Sequence, residues 1–365
     1  MEGFIKTMFA LRTLWAIFIA LLLGAVLIAI VGAHPIDAYR VLFKEAFFDY
    51  WGVANTLVKM SPILLAGLAV VVPLRAGLFN IGGEGQIYIG GLFGTIIGLS
   101  FADMPALVGI PVILFSAMLG GGLWAAIPGY LKAYHGINEV IVTLLMNFIA
   151  IHIVSYAVSG PMLAENAPYP YSEELASHLL LPILMPQTDT HLGVLIGILL
   201  AIFLYFYYRY TPSGFAMDTV GKNSIAANYA GIDVKRQILK AMIAGGAIAG
   251  LAGGIEVIGF KYRLFHLFSP GYGFDGIIVA FIAVANPIFV PFASFFLAGL
   301  QTGAGAMQRV VGVEATVAEA LQGLVVILVA ASLALRFENS ALAIFFRKRK
   351  ANKLVHIKST ANKGS

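Results

Sequence analysis

The chain has 365 residues, of which 60% are hydrophobic before any glycine is counted, 11% are charged and 40 are glycine; mean hydropathy is +0.90. Soluble domains average about 25% charged residues, so this composition excludes one and predicts an all-α polytopic membrane protein. The formal net charge of +5 reflects loop topology rather than nucleic-acid binding, and the absence of cysteine excludes disulfides, thiolate metal sites and Cys nucleophiles.

A membrane-crossing helix needs about 20 mainly apolar residues. The first candidate, 14–33, follows Lys6 and Arg12. It is longer than the roughly 7–15 residues of a signal-peptide core, so an uncleaved signal-anchor helix is expected. Further candidates lie at 58–74, 79–99, 105–131, 140–158, 192–208, 240–260, 276–287, 290–307 and 318–335. The eighth is short, and the second, third and ninth carry Gly or Pro, so some of these helices are expected to be broken or re-entrant. About ten spans place both termini on one side. Most of the 23 Lys and Arg then share that side, which makes the expected topology N-in and C-in.

Between the spans, 34–57 mixes charges with aromatics, as an interfacial helix would. The stretch 161–191 holds five prolines and no Lys or Arg, as an irregular external loop would. The main internal loop runs over about 210–238. One transmembrane domain is expected over 1–345, followed by a basic tail, 346–365, that is disordered or lies on anionic lipid.

Three segments carry polar residues where lipid tolerates them least. Asn80-Ile81-Gly82-Gly83-Glu84-Gly85-Gln86 sits between apolar stretches, and a carboxylate there needs partners or a wet cavity. Two readings are open: Asn80, Glu84 and Gln86 line a solute path, or they form a buried cluster that holds two helices in register. The fifth span opens at Asn138-Glu139, and Glu139, Thr143 and Asn147 follow at four-residue spacing, forming one polar stripe. Such a stripe bonds a neighbouring helix or faces a ligand; Glu139 is also favoured in a first turn by the helix dipole. Later, Gly273-Phe274-Asp275-Gly276 echoes the first break, with Asp275 either a cap or a path residue. The other charges expected inside spans are Glu256 and Glu319, the latter expected to face other helices with Gln322.

In the internal loop, Asn223 or Ser224 can cap a short helix and Gly231 can end it, while Ala226, Ala227 and Ala230 give it a slim face. It is either a plain connector on the membrane or a helix that inserts into a groove of a partner protein. Enzymatic patterns are missing: there is no G-x-x-x-x-G-K-[ST] and no H-E-x-x-H, and the seven His are scattered. The chain is therefore not expected to be an enzyme or to hydrolyse ATP by itself.

On these segments the chain resembles the permease subunits of bacterial ABC importers, in the nucleoside and simple-sugar branch of the branched-chain amino acid/ribose permease family. The resemblance spans roughly 60–305. It is carried by Leu74-Arg75-Ala76-Gly77-Leu78-Phe79-Asn80 and the residues to Gln86, by Gly136 to Thr143 with Asn147, by Gly221-Lys222-Asn223 with Ala226-Ala227 and Gly231-Ile232, by Gly245 to Gly253, and by Gly273 to Ala280. At Ala283-Val284-Ala285-Asn286-Pro287 it departs from the family, which commonly has Gly before the Asn-Pro.

The resemblance implies a multi-pass subunit in the bacterial cytoplasmic (inner) membrane that moves a nucleoside, or alternatively a simple sugar of ribose or galactose type. The implied partners are a cytoplasmic ABC ATPase, a second permease (the same or a paralogue), an extracytoplasmic substrate-binding protein and membrane lipid, with no nucleic acid. No cofactor of its own is implied, ATP being bound by the partner. The candidate substrate path is Phe79, Asn80, Glu84, Gln86, Asn138, Thr143, Asn147, Phe274 and Asp275. The candidate coupling residues are Gly221, Asn223, Ala226, Ala227, Gly231 and Ile232. No catalytic or metal-binding residue is expected. The rival from another class is a stand-alone secondary transporter or channel, which would need coupling-ion ligands or a pore ring inside the spans.

Overall fold

Residues 2–334 of the chain are described by a computed structural model; the tail from 346 lies outside them. The described residues form α1 (Glu2–Ile30), α2 (Pro35–Phe47), α3 (Tyr50–Arg75), α4 (Gly83–Ser100), α5 (Ala106–His135), α6 (Glu139–Ser159), α7 (Gly193–Tyr210), α8 (Pro212–Lys222), α9 (Ser224–Tyr229), α10 (Val234–Glu256), α11 (Tyr272–Ile282), α12 (Val290–Val311) and α13 (Ala315–Ala334). Six helical segments are long and apolar enough to cross a membrane: α3, α5, α6, α7, α10 with the π-turn that continues it, and α12 with the turn before it. All ten apolar stretches expected from the sequence coincide with helices. With 11 residues, α11 is only about 16 Å long, roughly half the hydrocarbon core.

Local chemistry sets the helix ends. Asp49 accepts a hydrogen bond from the Gly52 N–H at 3.0 Å and starts α3. Thr211, with Pro212 behind it, starts α8, and the Asp233 side chain accepts from Arg236 N to start α10. Gly136, at φ +69°, ends α5 in the left-handed conformation that favours glycine.

The interruptions fall only in part where Gly and Pro content predicts. α3 runs unbroken through Pro62 and Pro73, α4 is continuous through its glycines from Gly83 on, and Pro291 stands in the first turn of α12, where no helical N–H is lost. Packed neighbours satisfy or replace the backbone bonds that such residues weaken. The irregular backbone lies at 76–82, which takes in Gly77, Gly82 and the start of the third expected span, and at 262–271, which holds Pro270 and Gly271, and a π-turn over Val257–Lys261 closes α10.

Two packing groups result. In the larger, α3 and α10 are enclosed by α4, α5, α7 and α11. Its tightest contacts are glycine against backbone: a Cβ on Gly245 would lie 2.7 Å from the Ala69 carbonyl oxygen, and one on Gly121 would lie 2.7 Å from Gly250 Cα. Lipid gives helices no hydrophobic drive to associate, so such close approach supplies the dispersion contact instead. In the smaller group, Ala20 and Ile28 of α1, Leu42 of α2, Leu300 and Met307 of α12 and Leu321 of α13 are buried together. Glu319 does not face another helix: it is exposed.

The stretch 161–191 is irregular, as expected, but docked. Ser172 N bonds Leu264 O at 2.8 Å, Leu175 N bonds Tyr262 O at 2.9 Å and Leu181 N bonds Ile258 O at 2.9 Å. Arg263 pairs with Glu174 at 2.6 Å. His191 closes this loop, fully buried, with Nδ1 accepting from Gly193 N at 3.2 Å. Burial pushes its imidazole down to about 4.

Candidate functional site

Between α3 and α4 the chain unwinds. Gly77 turns at φ +77°, and residues 78–81 have no regular structure and lie among helices. Backbone polar groups at such a place need partners from outside the segment, and the α6 stripe supplies them. Phe79 N points to Glu139 Oε1 at 3.5 Å, and Ile81 N donates to Thr143 Oγ1 at 3.3 Å. Asn147 Nδ2 donates to Ile81 O at 2.9 Å, while its Oδ1 accepts from Gly85 N at 2.8 Å. Three side chains at four-residue spacing thus serve backbone groups of one irregular segment and of the first turn of α4. Lys132 Nζ holds Glu139 Oε2 at 2.8 Å.

Within the segment, the Asn80 and Gln86 amides exchange hydrogen bonds at 3.1 and 3.3 Å, and Asn80 Oδ1 also accepts from Gly82 N at 2.9 Å. Both side chains are buried. Glu84, also buried, stands in the first turn of α4 and accepts from Gly273 N at 2.7 Å. One carboxylate therefore serves the positive ends of two helices, its own and that of α11. Gly273 must be glycine, because a Cβ there would strike the Glu84 backbone. The same neighbourhood holds Tyr88, donating to Ser269 O at 3.2 Å, and Tyr272, whose hydroxyl lies 3.4 Å from the buried Glu256.

The expected path residues divide. Asn80, Glu84, Gln86, Thr143 and Asn147 come together in this knot, bonded to one another or to backbone. Asn138 lies apart, exposed, and caps α6 by accepting from Val140 N at 2.9 Å. Asp275 does not cap α11; it accepts from Gln301 Nε2 of α12 at 2.9 Å. Phe79 packs near Phe281 with ring centroids 5.9 Å apart, and Phe274 is 43% exposed. After α11, Val284 and Ala285 both take φ +52°, the left-handed region that Gly would occupy without strain.

The second element is the α8–α9 pair. Asn223 caps α9, accepting from Ala226 N at 3.0 Å, and Gly231 ends the turn at φ +79°, both as the residue types predict. Ile232 N bonds Ala227 O at 3.0 Å and closes the turn. Ala227 is fully buried against its own chain, so it presents nothing to a partner, contrary to the slim-face expectation. Ala226 is exposed, flanked by Ile225 at 69% and Tyr229 at 88% exposure. That pair of large apolar side chains was missed in the sequence, although their four-residue spacing on α9 is visible there. Gly221 packs on the end of α3, where a Cβ would meet the Arg75 carbonyl. Beside it the Arg75 guanidinium makes a two-pronged ion pair with the Asp218 carboxylate, its Nε 2.7 Å from Oδ1, and lies 4.1 Å over the Tyr208 ring. Among the described residues, no group of three or more His, Cys, Asp and Glu could hold a metal ion.

A multi-pass helical membrane protein with an unwound, hydrogen-bonded polar segment among its helices and a short paired-helix loop has the features of the transporter class. Residues 52–330 match the family described as branched-chain amino acid transport system / permease component, and the chain belongs to that family, whose members are transporter subunits and not enzymes. It is 37% identical over 326 residues to the guanosine ABC transporter permease protein NupP of Bacillus subtilis, covering 88% of this chain and 93% of that one. It is 35% identical over 318 residues to the glucose ABC transporter permease protein TsgB13 of Haloferax volcanii, covering 84% and 83%. It is 32% identical over 320 residues to the nucleoside ABC transporter permease protein NupB of Lactococcus lactis, covering 83% and 85%. No solved structure is significantly similar to the chain.

Proposed function

We propose that this chain is the permease subunit of an ABC importer that carries a nucleoside across the bacterial cytoplasmic membrane, driven by ATP hydrolysis on a partner ATPase. The observation that carries the reading is the pairing of the buried knot around Glu84 with the exposed α9, two elements joined through the end of α3. A substrate-binding protein delivers the solute from outside, and a second permease, the same or a paralogue, completes the path. An N-in topology puts α8 and α9, which follow α1 and α3 to α7, in the cytoplasm. There Ile225, Ala226 and Tyr229 enter a groove of the ATPase in the manner of a helix-in-groove contact. The knot of Asn80, Glu84, Gln86, Thr143 and Asn147 sets the shape of the path's wall, and Phe79 and Phe274 offer it rings on which a nucleobase can stack, worth about 1–3 kcal/mol per base.

The substrate is tested by ATP hydrolysis of the reconstituted complex in the presence of its binding protein, across nucleosides, ribose, galactose and glucose. Stimulation by nucleosides is the expected result. Stimulation by a sugar alone replaces nucleoside with sugar, a reading favoured by the glucose relative's 35% identity. The docking face is tested with a single Cys at Ala226. It should cross-link to the ATPase in active complexes, and labelling only from the external side would overturn the topology.

A further inference from the structure

We infer that the Arg75–Asp218 pair is the strut that carries motion of the ATPase-docking loop into the unwound segment, a positioning device that rests on the docking reading given above. α3 ends at Arg75, and the next residues, 76–82, are the unwound stretch. Asp218 lies in α8, one turn before the cap of α9. The two residues are 143 apart in sequence, yet the guanidinium fork meets the carboxylate on both oxygens. A bidentate pair of this kind resists rotation as well as separation.

Three further contacts stiffen the joint. The guanidinium is stacked 4.1 Å over the Tyr208 ring. The pair is mostly shielded, with side-chain exposures of 23% and 19%, so solvent and salt weaken it less than a surface pair. The backbones touch alongside it, a Cβ on Gly77 lying 3.2 Å from Gly221 Cα. A shift of α8 is therefore delivered at Arg75 and Gly77. The opposite side of the segment is anchored to α6 through Phe79 and Glu139, which Lys132 holds in turn. Residues 76–82 are gripped between a movable clamp and a fixed one. Displacing the first must strain or re-pair the hydrogen bonds of Asn80, Ile81 and Gly82, which lead directly to Glu84.

The test uses the complete reconstituted importer and compares solute moved per ATP hydrolysed, with assembly read from the cross-link between a Cys at Ala226 and the ATPase. Asp218→Asn should leave assembly and ATP hydrolysis within twofold of the unmodified complex while lowering solute moved per ATP at least tenfold. Asp218→Glu, which keeps the charge, should regain most of that ratio. An unchanged ratio in Asp218→Asn overturns the strut. So does a fall in assembly, hydrolysis and uptake in equal measure, which marks a structural pin, or a failure of Asp218→Glu to recover. A missing cross-link in the unmodified complex instead overturns the docking reading beneath it.

Discussion

Glu84 shows how one side chain can help fix the start of a membrane helix whose cap position is a glycine. α11 begins at Tyr272 behind a glycine that has no side chain to cap it; the Ser269 hydroxyl accepts from Tyr272 N at a long 3.3 Å, and Glu84 accepts from the next N–H, that of Gly273. Glu84→Ala leaves that buried donor unpaired, a loss of about 1–3 kcal/mol, and should lower both the thermal midpoint of the purified complex and its uptake. Glu84→Gln keeps an acceptor oxygen and should fall between the two in both measurements. His191 makes a pH-dependent contribution of definite sign. Its folded-state pKa is pushed down to about 4, below the roughly 6.5 of an unfolded imidazole, so the unfolded chain binds the proton more readily. The stability it contributes is whole above about pH 6.5 and is lost as pH falls towards 4. Thermal unfolding in detergent should therefore decline less over that window in His191→Gln than in the unmodified protein. Ala285, held at φ +52°, carries left-handed strain of about 1–2 kcal/mol. Ala285→Gly should raise the unfolding midpoint.

At the level of elements, glycine means different things by position. Gly250 of α10 lies in a crossing where an added Cβ would be 3.0 Å from Gly121 Cα and closer still to the Ala117 carbonyl. Gly250→Val must push α5 and α10 apart, an overpacking loss of about 1–3 kcal/mol or more. Gly136 meets nothing within 4 Å and is constrained only by φ +69°, so Gly136→Asn should be tolerated. Yields of monodisperse, detergent-extracted protein distinguish the two. The same contrast explains what the sequence made legible. Apolar length located the ten longer apolar helices, and residue chemistry located the cap at Asn223, the stop at Gly231 and the α6 stripe, while the short α8 was missed. Pro62 and Pro73 misled because their tolerance depends on neighbours that no local window contains. The burial of Ala227 depends on where α9 sits against its own chain, and the pairing of Arg75 with Asp218 crosses 143 positions without a local signal.

For the whole molecule, residues 75–86 and their partners on α6, α8 and α11 gather a dense polar cluster among the described helices, with further buried polar residues such as His191, Gln237 and Glu256 outside it, while apolar faces of α5, α6 and α7 stay exposed. The unwound segment is gripped from both sides by ionic contacts, and this has a thermodynamic consequence. If the segment holds one arrangement when the docking loop is engaged and another when it is free, solute and ATPase become ligands of the same equilibrium. Linkage then requires reciprocity. Whatever factor the ATPase applies to the permease's affinity for solute-loaded binding protein, the loaded binding protein must return to the affinity for the ATPase. Titrating each partner against the permease with and without the other should give equal coupling factors, and breaking the joint at Asp218 should drive both towards unity together.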